Sequence, residues 1–316
     1  METRSVKKIL ALVVALLLAP IGAQAWWQSV AQQSVNVASY QGPGDIVSGA
    51  LIWGSCARVY NVSLASTSTS LCDLVDTSTG AVAVCTLRGS STGFVDLAGS
   101  YCVGSLTPAA ACAAAGGGAC RVSKVYDQIG GTAGWVNATN SQRPVLTFSA
   151  LNGLPCGTGT GAANTSLTTA ATFTQTQWTW TSVAKRTSSA QAGVIGASGG
   201  FNGYLGFTAT ANTAGLTSNN VTFVTLGSVT DSSFHALQGV ADPGGAGGVL
   251  AVDGSEASGA IGVATMSSNT SRIMRLAAGA SLPGDWCEGG LWPSLFDGTQ
   301  RTNMNGNMHG TSGYNF

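Results

Sequence analysis

Three short stretches carry residue types that could do chemistry. The first, CRVSKVYDQIGGTAGW from Cys120 to Trp135, reads as a strand ending in a Tyr126-Asp127-Gln128 corner and a glycine-rich turn. A carboxylate there could serve as an acid or base, ligate a metal, or accept the backbone N–H groups of the turn. No ligand cluster accompanies Asp127, and on the pleat it shares a face with Val125, so Asp127 and Gln128 are expected to hold the turn. The second stretch, GDWCEGG from Gly284, sets Asp285 and Glu288 on either side of Trp286. Three residues apart on a strand, the two carboxylates are expected on opposite faces, so that one pocket would not hold both. Glu288 is then a structural strand residue, and Asp285 is the one left for chemistry.

The third set is nucleophilic. Gly-x-Ser-x-Gly occurs at Gly89 and again at Gly196, but no helical pattern follows either, and a nucleophile elbow requires one. His235 falls inside a strand pattern and is expected to pack. GTGTG at Gly157 has no helix start after it and no acidic partner, so it reads as a glycine loop rather than a phosphate loop.

The elements that must position these residues are short and β-prone. Runs such as VLTF at Val145, WTWTSVA at Trp178, YLGFTA at Tyr204, VTFVTL at Val221 and RIMRLAA at Arg272 recur with turn signals between them and no amphipathic helices, which argues for an antiparallel sandwich. Trp178 and Trp180 share a strand face and are expected in its core. One helix is legible, at the C-terminal end, where Asp297 and Gln300 stand at capping-box spacing, Met304 and Met308 share a face, and Gly310 stops it.

The chain opens with Arg4, Lys7 and Lys8, an apolar run, and Ala-Gln-Ala at Ala23 to Ala25, which predicts a signal peptide over residues 1–25, a polar lead-in over 26–41 and one domain over 42–316. The apolar run is shorter than the roughly 20 residues needed to span a bilayer, so no membrane association is expected after cleavage, and the location is secreted, periplasmic or extracellular. Basic and acidic residues balance at 13 each, without a basic patch, which argues against nucleic-acid partners. Eight cysteines in an exported chain favour disulfides over a metal, and no cofactor is implied. Cys72 and Cys85 stand at near-mirror positions in a hairpin and are expected to pair; Cys102 and Cys120 flank an Ala/Gly-rich insert that a second bridge would close.

FHALQGVADPGGAGGVLAVDGSEASG, from Phe234, resembles the paired strands of laminin-G and concanavalin-like jelly rolls, with an aromatic-His strand followed by one ending in Val-Asp-Gly. Asp253-Gly254 is also a strong type I′ turn on its own terms. GPGDI at Gly42, ARVYNVSLA at Ala57, CRVSKVYDQIGG at Cys120, LNGLPC at Leu151 and GDWCEGG at Gly284 occur in an order that resembles the catalytic domain of arabinofuranosidase B, glycoside hydrolase family 54. The resemblance implies an all-β, concanavalin-like antiparallel jelly roll and retaining hydrolysis of terminal α-L-arabinofuranosides by a Glu nucleophile and an Asp acid/base. The stretch matching the nucleophile strand, GGFNGYLGF, has Asn202 in the place of the Glu, and the acid/base position falls near Ala280 or Ser281, with Asp285 a few residues late. This chain also has no adjacent cysteine pair like the one at that family's sugar pocket.

The expected function is therefore glycan-directed, on arabinose-containing polysaccharide, with Asp285 as the catalytic residue if the chain is a hydrolase and Asn202, Tyr204 and Trp286 as substrate-binding residues. The alternatives are a non-catalytic carbohydrate-binding or surface-interaction module and a structural, spike-like appendage. A hydrolase requires two carboxylates converging on one pocket.

Overall fold

The computed structural model describes residues 40–66, 69–161, 165–198, 203–219, 221–227, 229–245, 247–276, 281–310 and 313–316. The expected signal peptide, most of the lead-in, Asn202 and Ala280 lie outside the described residues. Tyr40, assigned to the lead-in from the sequence, is buried edge-on against Phe94, so the packed body includes the end of that segment.

Eighteen strands are present among the described residues: β1 (Ile52–Ser55), β2 (Ser70–Asp76), β3 (Ala83–Arg88), β4 (Cys120–Val125), β5 (Trp135–Val136), β6 (Val145–Leu151), β7 (Leu154–Thr160), β8 (Leu167–Gln175) and β9 (Trp178–Arg186), followed by β10 (Ala192–Ser198), β11 (Tyr204–Phe207), β12 (Ala214–Thr217), β13 (Val224–Leu226), β14 (Phe234–Asp242), β15 (Gly247–Val252), β16 (Ser255–Gly259), β17 (Met266–Ile273) and β18 (Pro283–Trp292). All pair antiparallel. One layer runs β16–β15–β14–β9–β18, and the far edge of β18 is shared by β7 and β1. The other runs β13–β12–β11–β10–β17–β8–β5–β4–β2–β3. β6 pairs with both β7 and β4 and so links the layers at one edge, making a nearly closed antiparallel sandwich. The stretch GTGTG, expected as a loop, forms the second half of β7 up to Thr160, and at Gly159 a Cβ would come within 2.4 Å of the Leu282 carbonyl oxygen.

The layers meet through apolar residues on alternate strand positions. Leu205 of β11 and Leu216 of β12 lie against the bare backbone of Gly239 on β14, where a Cβ would come within 2.7 Å of Leu216. Trp286 of β18 meets Trp135 of β5 edge-on, with ring centroids 6.2 Å apart. Trp178 and Trp180 are fully buried, as their shared face predicts. β18 is buried over its whole length because its outer face is also covered.

The helices are α1 (Pro43–Ile46), α2 (Pro108–Ala114) and α3 (Gly298–His309). In α3, Asp297 and Gln300 form the capping box, Met304 and Met308 are buried, and Gly310 ends the helix, all as the sequence predicts. α2 was not expected; Thr107 caps it and Pro108 opens it, a start signal present in the insert but masked by the surrounding alanines and glycines. The Asp253-Gly254 turn joins β15 to β16 with φ of 50° and 85°, the paired positive angles that a two-residue type I′ turn requires.

Four disulfides are formed, but with partners other than those expected. Cys72 bonds Cys56, Cys85 bonds Cys102, Cys112 bonds Cys120, and Cys156 bonds Cys287. The Cys72–Cys85 pairing fails on register: Cys72 stands opposite Leu87 and Cys85 opposite Leu74, because the innermost pair is Val75 with Ala83 and Val84 is an extra residue on β3 before Cys85. The Cys102–Cys120 pairing fails because α2 carries Cys112 back to the start of β4, leaving Cys102 for β3.

Candidate functional site

Asp285 and Glu288 occupy the same face of β18, which corrects the expectation of opposite faces. Asp285 stands opposite Lys185 and Glu288 opposite Val183, with the ladder shifting register between Trp286 and Glu288. Lys185 and Val183 are two apart on β9 and so share a face; the extra residue in β18 restores the parity that three residues would break. Asp285 binds Lys185 Nζ at 2.7 Å and accepts from Thr158 Oγ1 at 2.6 Å. Glu288 takes a two-pronged contact from Arg58, Nε and Nη2 each at 2.6 Å, and accepts from the Tyr314 hydroxyl at 3.1 Å. Arg58 and Glu288 are at most 1% exposed. Burial alone would lower the Arg58 pKa, but the Glu288 charge and hydrogen bond hold it above the ordinary arginine value. Glu288 thus neutralises a buried cation beneath the segment that carries Tyr314.

Trp286 points the other way, into the core, at 2% exposure, and its indole N–H finds no partner among the described residues. No ring face is open to stack on a sugar. Tyr204 is equally buried, and burial, opposed by a hydrogen bond from Gln191, pushes its hydroxyl pKa up to about 12. Tyr204 does lie next to a surface. It shares a cross-strand row with Thr217, Gly196, Arg272 and Thr168, on the side of its sheet opposite to Leu205 and Leu216. Gln191 Nε2 donates to its hydroxyl at 2.6 Å, and Phe223 sits edge-on to its ring at 5.8 Å. Above this pair opens a cleft of about 680 Å³ lined by Gln191, Thr208, Thr210, Thr213, Phe223 and Thr225. Hydroxyls, one amide and one aromatic edge can hydrogen-bond and pack against a sugar, and that lining contains no carboxylate. Phe223 and the threonines were not singled out from the sequence, since Thr is frequent throughout and only the strand pairing gathers them.

Asp127 accepts from the backbone N–H groups of Trp53 at 3.3 Å, Ile129 at 3.2 Å and Thr132 at 2.8 Å. Gln128 accepts from Tyr60 N at 2.9 Å and donates to Arg58 O at 3.2 Å, so the corner ties β4 to β1 and to the segment leading into Tyr60. Among the described residues no group of three or more His, Cys, Asp or Glu could hold a metal ion.

His235 is buried, with Nδ1 2.6 Å from Asp253 Oδ2 and Nε2 2.9 Å from the Thr230 carbonyl. Both ring nitrogens face acceptors, an arrangement only the imidazolium satisfies with two N–H donors. Burial opposes the charge, yet the hydrogen bonds to Asp253 and Thr230 outweigh it and raise the pKa. Lys185, Phe234, His309 and Phe316 complete a cleft of about 450 Å³ beside it.

Every Asp and Glu except Glu2 falls within the described residues. None of the four clefts described among those residues is lined by two carboxylates: one holds Asp253, one holds Asp73, and two hold none.

No protein-family model matches the chain, and no curated protein matches it. Solved structures do. An arabinofuranosidase complexed with arabinofuranosyl-α-1,2-xylobiose superposes with a TM-score of 0.62 at 15% identity over 86% of this chain and 65% of its own. A glycoside hydrolase family 54 α-L-arabinofuranosidase soaked with a cyclic sulfate inhibitor gives 0.62 at 16% identity, over 86% and 66%. A mutant of such an enzyme soaked with 4-nitrophenyl α-L-arabinofuranoside gives 0.63 at 15% identity, with the same coverage. The chain has the fold of these arabinofuranosidases and spans about two thirds of their length.

Proposed function

We propose that the protein is an exported glycan-binding module that carries the arabinofuranosidase B scaffold without its hydrolytic chemistry, and that it binds arabinose-containing polysaccharide through the cleft beside Tyr204. The observation that carries this reading is the state of the carboxylates. Retaining hydrolysis needs two of them roughly 5 to 5.5 Å apart in one pocket, and the cleft beside Tyr204 is lined by threonines, Gln191 and Phe223 instead. Asn202 in the place of the family nucleophile supports the same reading, since an amide does not form the glycosyl ester. Asp285, the remaining acid/base candidate, is held by Lys185 and Thr158 on the outer face of the other layer. Export is supported by the leader-like N-terminal sequence and by four disulfides. No helix among the described residues is long and apolar enough to cross a membrane.

The test pairs turnover with binding. Purified protein is expected to leave 4-nitrophenyl α-L-arabinofuranoside intact while being retained by arabinan or arabinoxylan. Turnover that disappears in Asp285→Asn would instead establish a hydrolase and remove the binding-module reading.

A further inference from the structure

A second cleft, of about 480 Å³, opens on the opposite flank of the molecule, at the outer face of β3, β2 and β4. Thr86 and Asp73 stand opposite one another in its floor, and Lys124 continues their cross-strand row on β4, beside the lining rather than in it. Tyr126 and Arg88 lie two positions further along, on the same face. Asp73 accepts from the Tyr126 hydroxyl at 2.9 Å and from Thr86 Oγ1 at 2.6 Å. Lys124, although directly across from Asp73, places its ammonium 3.9 Å from the centre of the Tyr126 ring, and the Arg88 guanidinium lies 5.5 Å from the centre of Tyr101. The Cys85–Cys102 disulfide ties the residue after Tyr101 to β3 and forms part of the wall.

Of the ten described lysines and arginines six form no ion pair, and two of those six stand on this face. Arg58, Lys185, Arg186 and Arg301 each pair with a carboxylate. Arg88 is exposed, and neither it nor Lys124 forms an ion pair with any described residue. The nearest acids are committed: Asp73 to two hydroxyls, Asp96 to the N–H groups of Ala98 and Gly99. Two cations stand over aromatic rings, beside hydroxyls whose protons already go to Asp73 and to the Asp96 carbonyl and whose oxygens can accept. A guanidinium fork matches a carboxylate, and tyrosine and threonine hydroxyls match sugar hydroxyls.

The geometry points to this cleft as a binding site for a uronic-acid saccharide, with Arg88 and Lys124 receiving the carboxylate and Tyr126, Tyr101 and Thr86 contacting the pyranose ring and its hydroxyls. The site stands on residues separate from those beside Tyr204 and recognises a charged rather than a neutral sugar.

Calorimetric titration of the full chain with tetragalacturonic acid tests it, with a neutral arabinan tetrasaccharide as the parallel arm. Saturable uronate binding that weakens with added salt is expected. Arg88→Gln and Lys124→Gln should each weaken it by about tenfold, with an unchanged melting temperature and unchanged binding of the neutral sugar. The inference is overturned by absence of saturable uronate binding, by variants that bind as tightly as the native protein, or by a tetraglutamate peptide binding equally well. Uronate binding without any arabinan binding would support this site while removing the reading of the cleft beside Tyr204.

Discussion

Asp285 and Glu288 share one face of β18 because the ladder with β9 gains an extra residue between Trp286 and Glu288. Their surroundings nevertheless separate them. Asp285 is tied to Lys185 on a partly solvated flank, whereas Glu288 closes a fully buried ion pair with Arg58 and takes a hydrogen bond from Tyr314. A shared face is therefore not a shared pocket.

The Arg58–Glu288 pair should be stabilising only as a pair. Glu288→Gln leaves the Arg58 cation buried without its counter-charge, and a loss of about 3–5 kcal/mol is expected in urea unfolding. Combining Arg58→Met with Glu288→Leu should recover most of that loss, since the desolvation cost of both ions disappears. A single variant within 1 kcal/mol of the native protein would contradict the assignment.

The disulfides should rank by the loop each closes. Cys156–Cys287 spans 131 residues and Cys112–Cys120 only 8. On the chain-entropy account, removing the first pair by Cys→Ala should cost about 4–5 kcal/mol and removing the second about 2–3 kcal/mol. Equilibrium unfolding of the two double variants checks the order.

The pH dependence near neutrality should follow His235. Its pKa in the folded protein lies above the ordinary value of 6.5. Its contribution is therefore complete below about pH 6.5 and is lost as pH rises through the folded-state value. Stability should fall across that window, and the slope should flatten in His235→Gln and in Asp253→Asn. Melting temperatures from pH 5.5 to 8.5 measure it; an unchanged slope in both variants would show that the titrating group lies elsewhere.

Phe223 is the exposed edge of the aromatic pair beside Tyr204. Phe223→Ala should weaken arabinan binding by about tenfold, the size of one lost aromatic contact, and leave the melting temperature nearly unchanged because the ring is only half-buried. Affinity electrophoresis in arabinan gels reads the effect. Unaltered mobility would place the binding surface away from this cleft.

Features set by neighbouring residues were legible from the sequence alone. The capping box and stop of α3, the type I′ turn at Asp253-Gly254, the alternation that makes a sandwich, and the pairing of Trp178 with Trp180 in its core all depend on contacts a few residues apart. What the tertiary structure decided were quantities set by the register of a strand against partners distant in the chain. One extra residue after Trp286 moved Glu288 onto the face of Asp285, a two-residue offset reassigned Cys72 and Cys85, the facing layer buried Trp286, and the segment carrying Phe223 packed on Tyr204. Strand periodicity fixes which residues alternate, but a single bulge inverts that assignment for everything beyond it. No local signal in GDWCEGG announces the bulge, because it follows from the hydrogen bonds β18 makes to three other strands at once.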